Sequence, residues 1–214
     1  MIDREQERHA MQQHSVDLTR QSRPVVIVPY QQRWPVEYRE LGAQLRSVLG
    51  DCALRIDHIG STSVPGLGAK DVLDVQITVR DLEQMDEFKS RMRACGFQER
   101  EGFHHDCFSG PKAENSLDWR KRYFREVEGE RRTHIHVREL GRLNQKYPLL
   151  FRDFLRSNET VHTAYELIKR RLAEIFPECI DGYLYIKDPL MDIIFEAGLL
   201  WADQVGWEPD EEHL

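Results

Sequence analysis

Asp74, His134 and His136 are the residues of this 214-residue chain whose types and spacing point most directly to chemistry. His134 and His136 alternate along a strand-like run, Arg131 to Arg138, so both imidazoles face the same way and can meet one ion. Asp74 sits inside a second such run, Val72 to Val79, a setting for which aspartate is poorly suited unless something compensates it. If the two runs are neighbours, two imidazoles and a carboxylate form a donor set for Zn²⁺, Mn²⁺ or Fe²⁺. Asp74 alone can hold Mg²⁺, which keeps several waters and accepts substrate oxygens, and Mg²⁺ is the ion expected first, ahead of Zn²⁺ or Mn²⁺. The plainer alternative is a polar strand face, with its imidazoles hydrogen-bonded and its carboxylate paired with a nearby Lys or Arg. His58 and the pair His104-His105 are weaker candidates.

Gly60, Ser61 and Ser63 open the loop Gly60-Ser61-Thr62-Ser63-Val64-Pro65-Gly66-Leu67-Gly68, just before Asp74. Such a loop exposes backbone N–H groups and approaches a phosphate closely, and the carboxylate on the next strand is placed to hold the accompanying metal. The expected ligand is therefore a phosphate group with a divalent cation. A basic set of Lys70, Arg120, Lys121, Arg122, Arg125, Arg131 and Arg132 offers either an anion site or cross-strand partners for Glu99, Glu101 and Glu126. Tyr123, among them, is placed to stack on a base.

The elements that must position these residues are legible in the hydrophobic periodicity. Pro24–Val28 is expected as an edge strand, and Trp34–Leu49 as an amphipathic helix closed by Gly50. Strands Ala53–Ile59 and Val72–Val79 flank the loop, with Val75 and Ile77 facing opposite to Asp74 and Gln76. A helix follows over Leu82–Cys95, and then strands at His104–Phe108, Trp119–Glu126 and Arg131–Arg138. Helices are expected at Asn144–Arg156, Glu159–Phe176 and Pro189–Val205. The class is α+β: a mixed sheet with helices on one face and a helical C-terminal part. Residues 1–23 are polar and expected as a mobile tail, residues 24–207 as one domain, and residues 208–214 as an acidic tail.

Composition narrows the classes. With 30 Lys and Arg against 37 Asp and Glu the formal charge is −7, which opposes bulk binding to nucleic acid or an anionic membrane. No apolar run approaches the roughly 18 residues of a membrane span. Four scattered cysteines and the absence of an apolar leader fit a reducing cytoplasm.

The string His58-Ile59-Gly60-Ser61-Thr62-Ser63-Val64-Pro65-Gly66-Leu67, followed by Ala69-Lys70 and Leu73-Asp74-Val75, resembles the central motif of the GrpB family, which is similar in turn to the nucleotidyltransferase superfamily. The resemblance runs from about Val26 to about Trp201. It implies a nucleotidyltransferase-like fold in which Gly60-Ser61 binds phosphate and Asp74 is the first of two alternating acids. Gln76 stands at the second acid position, and His136 becomes a stand-in for the third carboxylate. Lys70 and Lys187 match lysines of the family pattern, where Asp71 departs from the usual Pro. The expected function is nucleotide or phosphate binding, with metal-dependent nucleotidyl or phosphoryl transfer through Asp74 and His136. One rival is an accessory module that binds a nucleotide or CoA-like ligand without turnover, since some family members are fused to dephospho-CoA kinase. The other is a hydrolase whose metal sits on Asp74, His134 and His136. The acceptor, the metal and the oligomeric state stay open.

Overall fold

A computed structural model describes residues 20–83, 85–109 and 116–209. The expected tail over 1–19, and its acidic counterpart over 210–214, lie outside the described residues.

Five strands form one sheet: β1 (Arg55–Ile59), β2 (Leu73–Val79), β3 (Phe97–Glu99), β4 (Arg122–Glu126) and β5 (Thr133–Glu139). Their spatial order is β1-β2-β5-β4-β3. Among the described residues only the β2–β5 pair is parallel; the other neighbours are antiparallel, so the sheet is mixed. The parallel register sets Asp74 opposite His134, Val75 opposite Ile135 and Gln76 opposite His136. Side chains alternate along a strand, so Val75, Ile77, Ile135 and Val137 share one face while Asp74, Gln76, His134 and His136 share the other.

The apolar face is covered by helices α1 (Trp34–Leu49) and α2 (Asp86–Ala94). Leu45, Leu49, Phe88 and Met92 close over Val75, Ile77, Phe124, Ile135 and Val137 as the main core. The polar face carries α3 (Leu143–Ser157), followed by α4 (Glu159–Ile175) and α5 (Ile180–Val205). Arg152 of α3 donates to the His58 carbonyl at 3.1 Å, and the Gln145 carbonyl of α3 accepts from Gln76 at 2.9 Å. Helices thus lie on both faces rather than one, and the fold is α+β as expected. Among the described residues no helix is long and apolar enough to cross a membrane.

Several expected boundaries move. Pro24–Val28 makes only the isolated bridge Val28–Ala69, and His104–Phe108 only the bridge His105–Arg120. Helix α2 starts at Asp86 rather than Leu82. Helix α5 starts nine residues before Pro189 and keeps the proline inside. Tyr183 and its partly buried neighbours Ile180 and Leu184 pack on Leu172 and Val25, and that burial outweighs the single backbone bond the proline removes. Residues 20–23, assigned to the tail by composition, include Ser22, whose N–H donates to the Glu178 carbonyl at 2.6 Å and whose Oγ accepts from Ile180 N at 2.8 Å.

Candidate functional site

The turn between β1 and β2 is closed locally. Gly60 has φ 70°, a left-handed conformation that suits glycine, and Ser61–Ser63 form one turn of 3-10 helix after it. Glycine is required for a second reason: a Cβ there would lie 2.8 and 2.9 Å from Asp74 Cβ and Cγ, and nearer still to Asp74 Oδ2. The Gly-Ser turn therefore packs its backbone directly on the Asp74 carboxylate. Ser63 does not offer its hydroxyl to a ligand; Oγ donates to the Gly60 carbonyl at 2.6 Å and stabilises the turn. Ser61 Oγ accepts from Lys169 Nζ at 3.1 Å.

Asp74, His134 and His136 come together: one ligand atom from each lies within 4.8 Å of the others. His134 Nδ1 is 3.2 Å from Asp74 Oδ1. His134 Nε2 is buried and has no hydrogen-bond partner among the described residues. Burial pushes the Asp74 carboxyl up, but the hydrogen bond from His134 and the nearby positive charge of Lys70 outweigh it and hold the pKa at about 2. His136 is driven well below its ordinary range by burial and by Lys121 and Arg138, so it is a neutral imidazole with a lone pair. Tyr123 forms a wall of the cluster, its ring centroid 5.6 Å from His134 and 5.1 Å from His136.

Gln76 shares this face but does not line the cleft. It is fully buried; its Oε1 accepts from Arg138 Nη1 at 2.8 Å while its Nε2 donates to the Gln145 carbonyl at 2.9 Å. Arg138 also chelates Asp106 at 2.8 and 3.0 Å, and Asp106 accepts from Lys121 at 2.6 Å and from Asn144 at 3.1 Å. An amide is what this position needs. It accepts from a guanidinium and donates to a carbonyl, whereas a carboxylate would set two acceptors against each other.

Lys70 and Lys187 reach the Asp74 region from the loop and from α5, and both act on its charge. A third lysine, Lys169 of α4, escaped the sequence reading although it lies on the same helical face as Tyr165 and Leu172. It is 2% exposed, donates to the Gly68 carbonyl at 2.5 Å and to Ser61, and lies over the Tyr165 ring at 4.7 Å. Burial and the Lys187 charge pull the Lys169 ammonium down to about 7, and the same two causes pull Lys70 down to about 8. Lys187 is raised instead: burial opposes its charge, but Tyr165 and Asp188, the latter 3.2 Å away, outweigh it.

Other sequence candidates fall elsewhere. Arg122 neighbours Tyr123 on β4 and therefore points to the opposite face, where it donates to the Leu82 carbonyl at 3.4 Å and pairs with Glu99 at 3.7 Å. Arg120 pairs with Glu83, and Arg131 with Glu37 and Asp71, as cross-element partners. His58 is a core residue, stacked on Tyr38 at 4.6 Å and bonded to Thr62 Oγ1 at 3.0 Å. His104 and His105 are exposed and outside the cluster.

Comparison with known proteins gives a consistent picture. The family described as GrpB protein matches residues 24–197. The crystal structure of conserved protein GrpB from Enterococcus faecalis superposes with a TM-score of 0.69 at 28% identity, covering 86% of this chain and 100% of that one. A Mycolicibacterium paratuberculosis protein named dephospho-CoA kinase is 32% identical over 199 residues, covering 87% of this chain and 49% of that protein. The UPF0157 protein YqkA of Bacillus subtilis is 33% identical over 179 residues, covering 84% of this chain and 48% of that protein. The chain spans about half the length of these two curated relatives.

Proposed function

The chain belongs to the GrpB family, and from that premise we propose that its cleft binds a nucleotide or other phosphorylated small molecule together with one divalent cation, in an arrangement suited to phosphoryl or nucleotidyl transfer. The observation that carries this reading is the convergence of Asp74, His134 and His136 within 4.8 Å directly beneath the Gly60-Ser61 turn. A carboxylate and a phosphate repel each other unless a cation lies between them, and this site has the donors for that cation.

The residues fit an ion. His134 Nε2 is a buried polar atom without a partner among the described residues, His136 is kept neutral, and Asp74 stays ionised far below neutral pH. Of the ions expected from the sequence, Mn²⁺ and Zn²⁺ suit two imidazoles and a carboxylate better than Mg²⁺, which prefers oxygen donors. Such an ion would supply charge neutralisation and orientation of the phosphate oxygens. The chain's own contribution is positional: the Gly60-Ser61 backbone approaches the phosphate, Lys70 and Lys187 add positive charge, and Tyr123 offers a ring face to a base. Positioning and electrostatics are what phosphoryl transfer chiefly demands of a protein.

A second reading, binding without turnover, is favoured by Gln76. The second acid position is occupied by an amide held between Arg138 and Gln145, which supports a reading with one cation rather than two. The name of the mycobacterial relative adds CoA-like nucleotides to the ligands worth trying.

The test is calorimetric titration of ATP, CTP and CoA with Mn²⁺, Mg²⁺ or a chelator. Asp74→Asn is expected to weaken cation-supported nucleotide binding by more than about tenfold while leaving chelator-resistant binding unchanged or improved. If no nucleotide binds the wild type at millimolar concentration under any condition, the reading fails. Tight Zn²⁺ binding abolished by His134→Ala would then favour a hydrolytic centre.

A further inference from the structure

Helix α5 is apolar on two faces, and the described chain covers one of them. Tyr183, Ile194, Phe195, Gly198 and Ala202 are buried against α3 and α4. The other face carries Ile186, Ile193 and Leu200, which are 47%, 67% and 70% exposed. They stand seven residues apart, about two helical turns, so they fall in one line along the helix. Pro189 and Ala197, also exposed, lie between them on that line. Tyr185 and Val205, exposed as well, widen the stripe at its two ends. Among the described residues α5 thus exposes five large apolar side chains, and no other helix exposes more than two. A helix that is apolar all round is ordinarily buried all round, so this stripe calls for a partner.

The stripe is complementary to itself. Ile193 is its midpoint; Ile186 and Leu200 stand equally far from it on either side, as Pro189 and Ala197 do. A two-fold axis through Ile193 lays two α5 helices antiparallel, with Ile186 of each against Leu200 of the other and Pro189 against Ala197. The charges agree with that direction. Glu196 and Asp203 flank the stripe on one side, and Arg20, with its side chain 74% exposed, lies 4.0 Å from Asp181 at the start of the helix. The antiparallel pair brings Asp203 of each copy towards Arg20 of the other and sets Glu196 beside Pro189. A parallel pair would gather two Asp203 at one end and two Arg20 at the other. From Tyr185 to Val205 the stripe is about 30 Å long. Two copies then bury on the order of 1,000 Å² in total, the lower limit for a specific interface and enough for a reversible, micromolar dimer.

We propose that the exposed stripe of α5 is the interface of a two-fold symmetric dimer, in which Ile193 packs on Ile193 of a second copy and Asp203 pairs with Arg20 across the interface. The occupant is a second copy because the stripe matches itself in the order of its apolar residues and in the placing of its charges. The proposal does not depend on what the cleft binds.

The experiment is sedimentation velocity with light scattering on the full chain, from about 1 to about 200 µM. The expected result is a mass that rises with concentration from 25.3 kDa to twice that value. Ile193→Lys and Leu200→Lys should each weaken the dimer by about a hundredfold or more, because each change is made twice across the axis. Both positions are mostly exposed in a single copy, so each variant at low concentration should melt at the wild-type temperature. Val36→Lys, on α1 at the other face of the sheet, should leave the dimer unchanged. Asp203→Arg should weaken it by about fivefold, and the double variant Arg20→Asp with Asp203→Arg should recover the loss. A wild-type chain that stays at 25.3 kDa throughout the range would overturn the proposal; that is also the result if the chain's own residues outside the described ones cover the stripe. A dimer that both lysine variants leave intact would overturn it as well. A double variant no tighter than Asp203→Arg alone would overturn the antiparallel arrangement.

Discussion

Replacing Lys169 by Met should stabilise the folded chain at neutral pH. The structure sets the size of the effect. Folding moves the Lys169 ammonium from 10.5 to about 7, a difference of roughly 3.5 pH units. At about 1.4 kcal/mol per unit this gives a ceiling of about 5 kcal/mol of destabilisation. Against it stands the loss of the Lys169 hydrogen bonds, which leaves the buried Gly68 carbonyl unpaired at a cost of about 1–3 kcal/mol. Methionine fills most of the vacated volume beside Tyr165, so the net gain at pH 7 is at most about 2–4 kcal/mol. For a chain of this size each kcal/mol raises Tm by about 2–4 °C. The pH dependence separates this cause from better packing. The folded pKa is depressed, so between about pH 7 and 10.5 the unfolded chain binds more protons than the folded one. Wild-type stability therefore rises with pH across that window, and Lys70, lowered to about 8, adds to the upper part of it. The advantage of Lys169→Met should shrink as pH rises from 7 towards 10. Urea denaturation and thermal scans of both proteins at pH 7, 8.5 and 10 provide the assay. A variant less stable than wild type at pH 7, or a gain that does not change with pH, would refute the reasoning.

Other perturbations act on the same geometry. Gly60→Ala puts a Cβ within 2.8 Å of the Asp74 side chain at φ 70°. It should destabilise by about 2–4 kcal/mol and abolish cation binding, both measurable by chemical denaturation and Mn²⁺ titration. Gln76→Glu sets a carboxylate oxygen against the Gln145 carbonyl. It should cost about 2–4 kcal/mol of stability without adding a second bound cation, which denaturation and paramagnetic resonance together would show.

Much of this arrangement could be read from residue order. The alternation of Val75 and Ile77 against Asp74 and Gln76, and of Ile135 against His134 and His136, is enough to assign the faces of β2 and β5, because a strand offers only two. That the two strands are neighbours is a long-range pairing, which no local pattern encodes. Arg122 and Tyr123 show a case where parity already decides: adjacent strand residues point apart, so one cleft cannot use both. Gln76 looked like a lost carboxylate because its partners, Arg138 and the Gln145 carbonyl, lie 62 and 69 residues away. Lys169 was hidden in the stripe of α4, where a lysine between Tyr165 and Leu172 on the buried face was the available signal. Pro189 pointed to a helix start, since its local cost is visible in sequence and the packing of Tyr183 that overrides it is not.

The central claim is that one divalent cation sits on Asp74, His134 and His136 beneath the Gly60-Ser61 turn. Diffraction from crystals grown with Mn²⁺ and a non-hydrolysable nucleoside triphosphate, recorded at the manganese edge, tests it most directly. The account predicts one anomalous peak per chain within about 2.4 Å of an Asp74 oxygen and of an imidazole nitrogen of His134 or His136, with the phosphates on the side of the Gly60-Ser61 turn and Lys70. A second peak near Gln76, or a nucleotide bound with no manganese on Asp74, would contradict it.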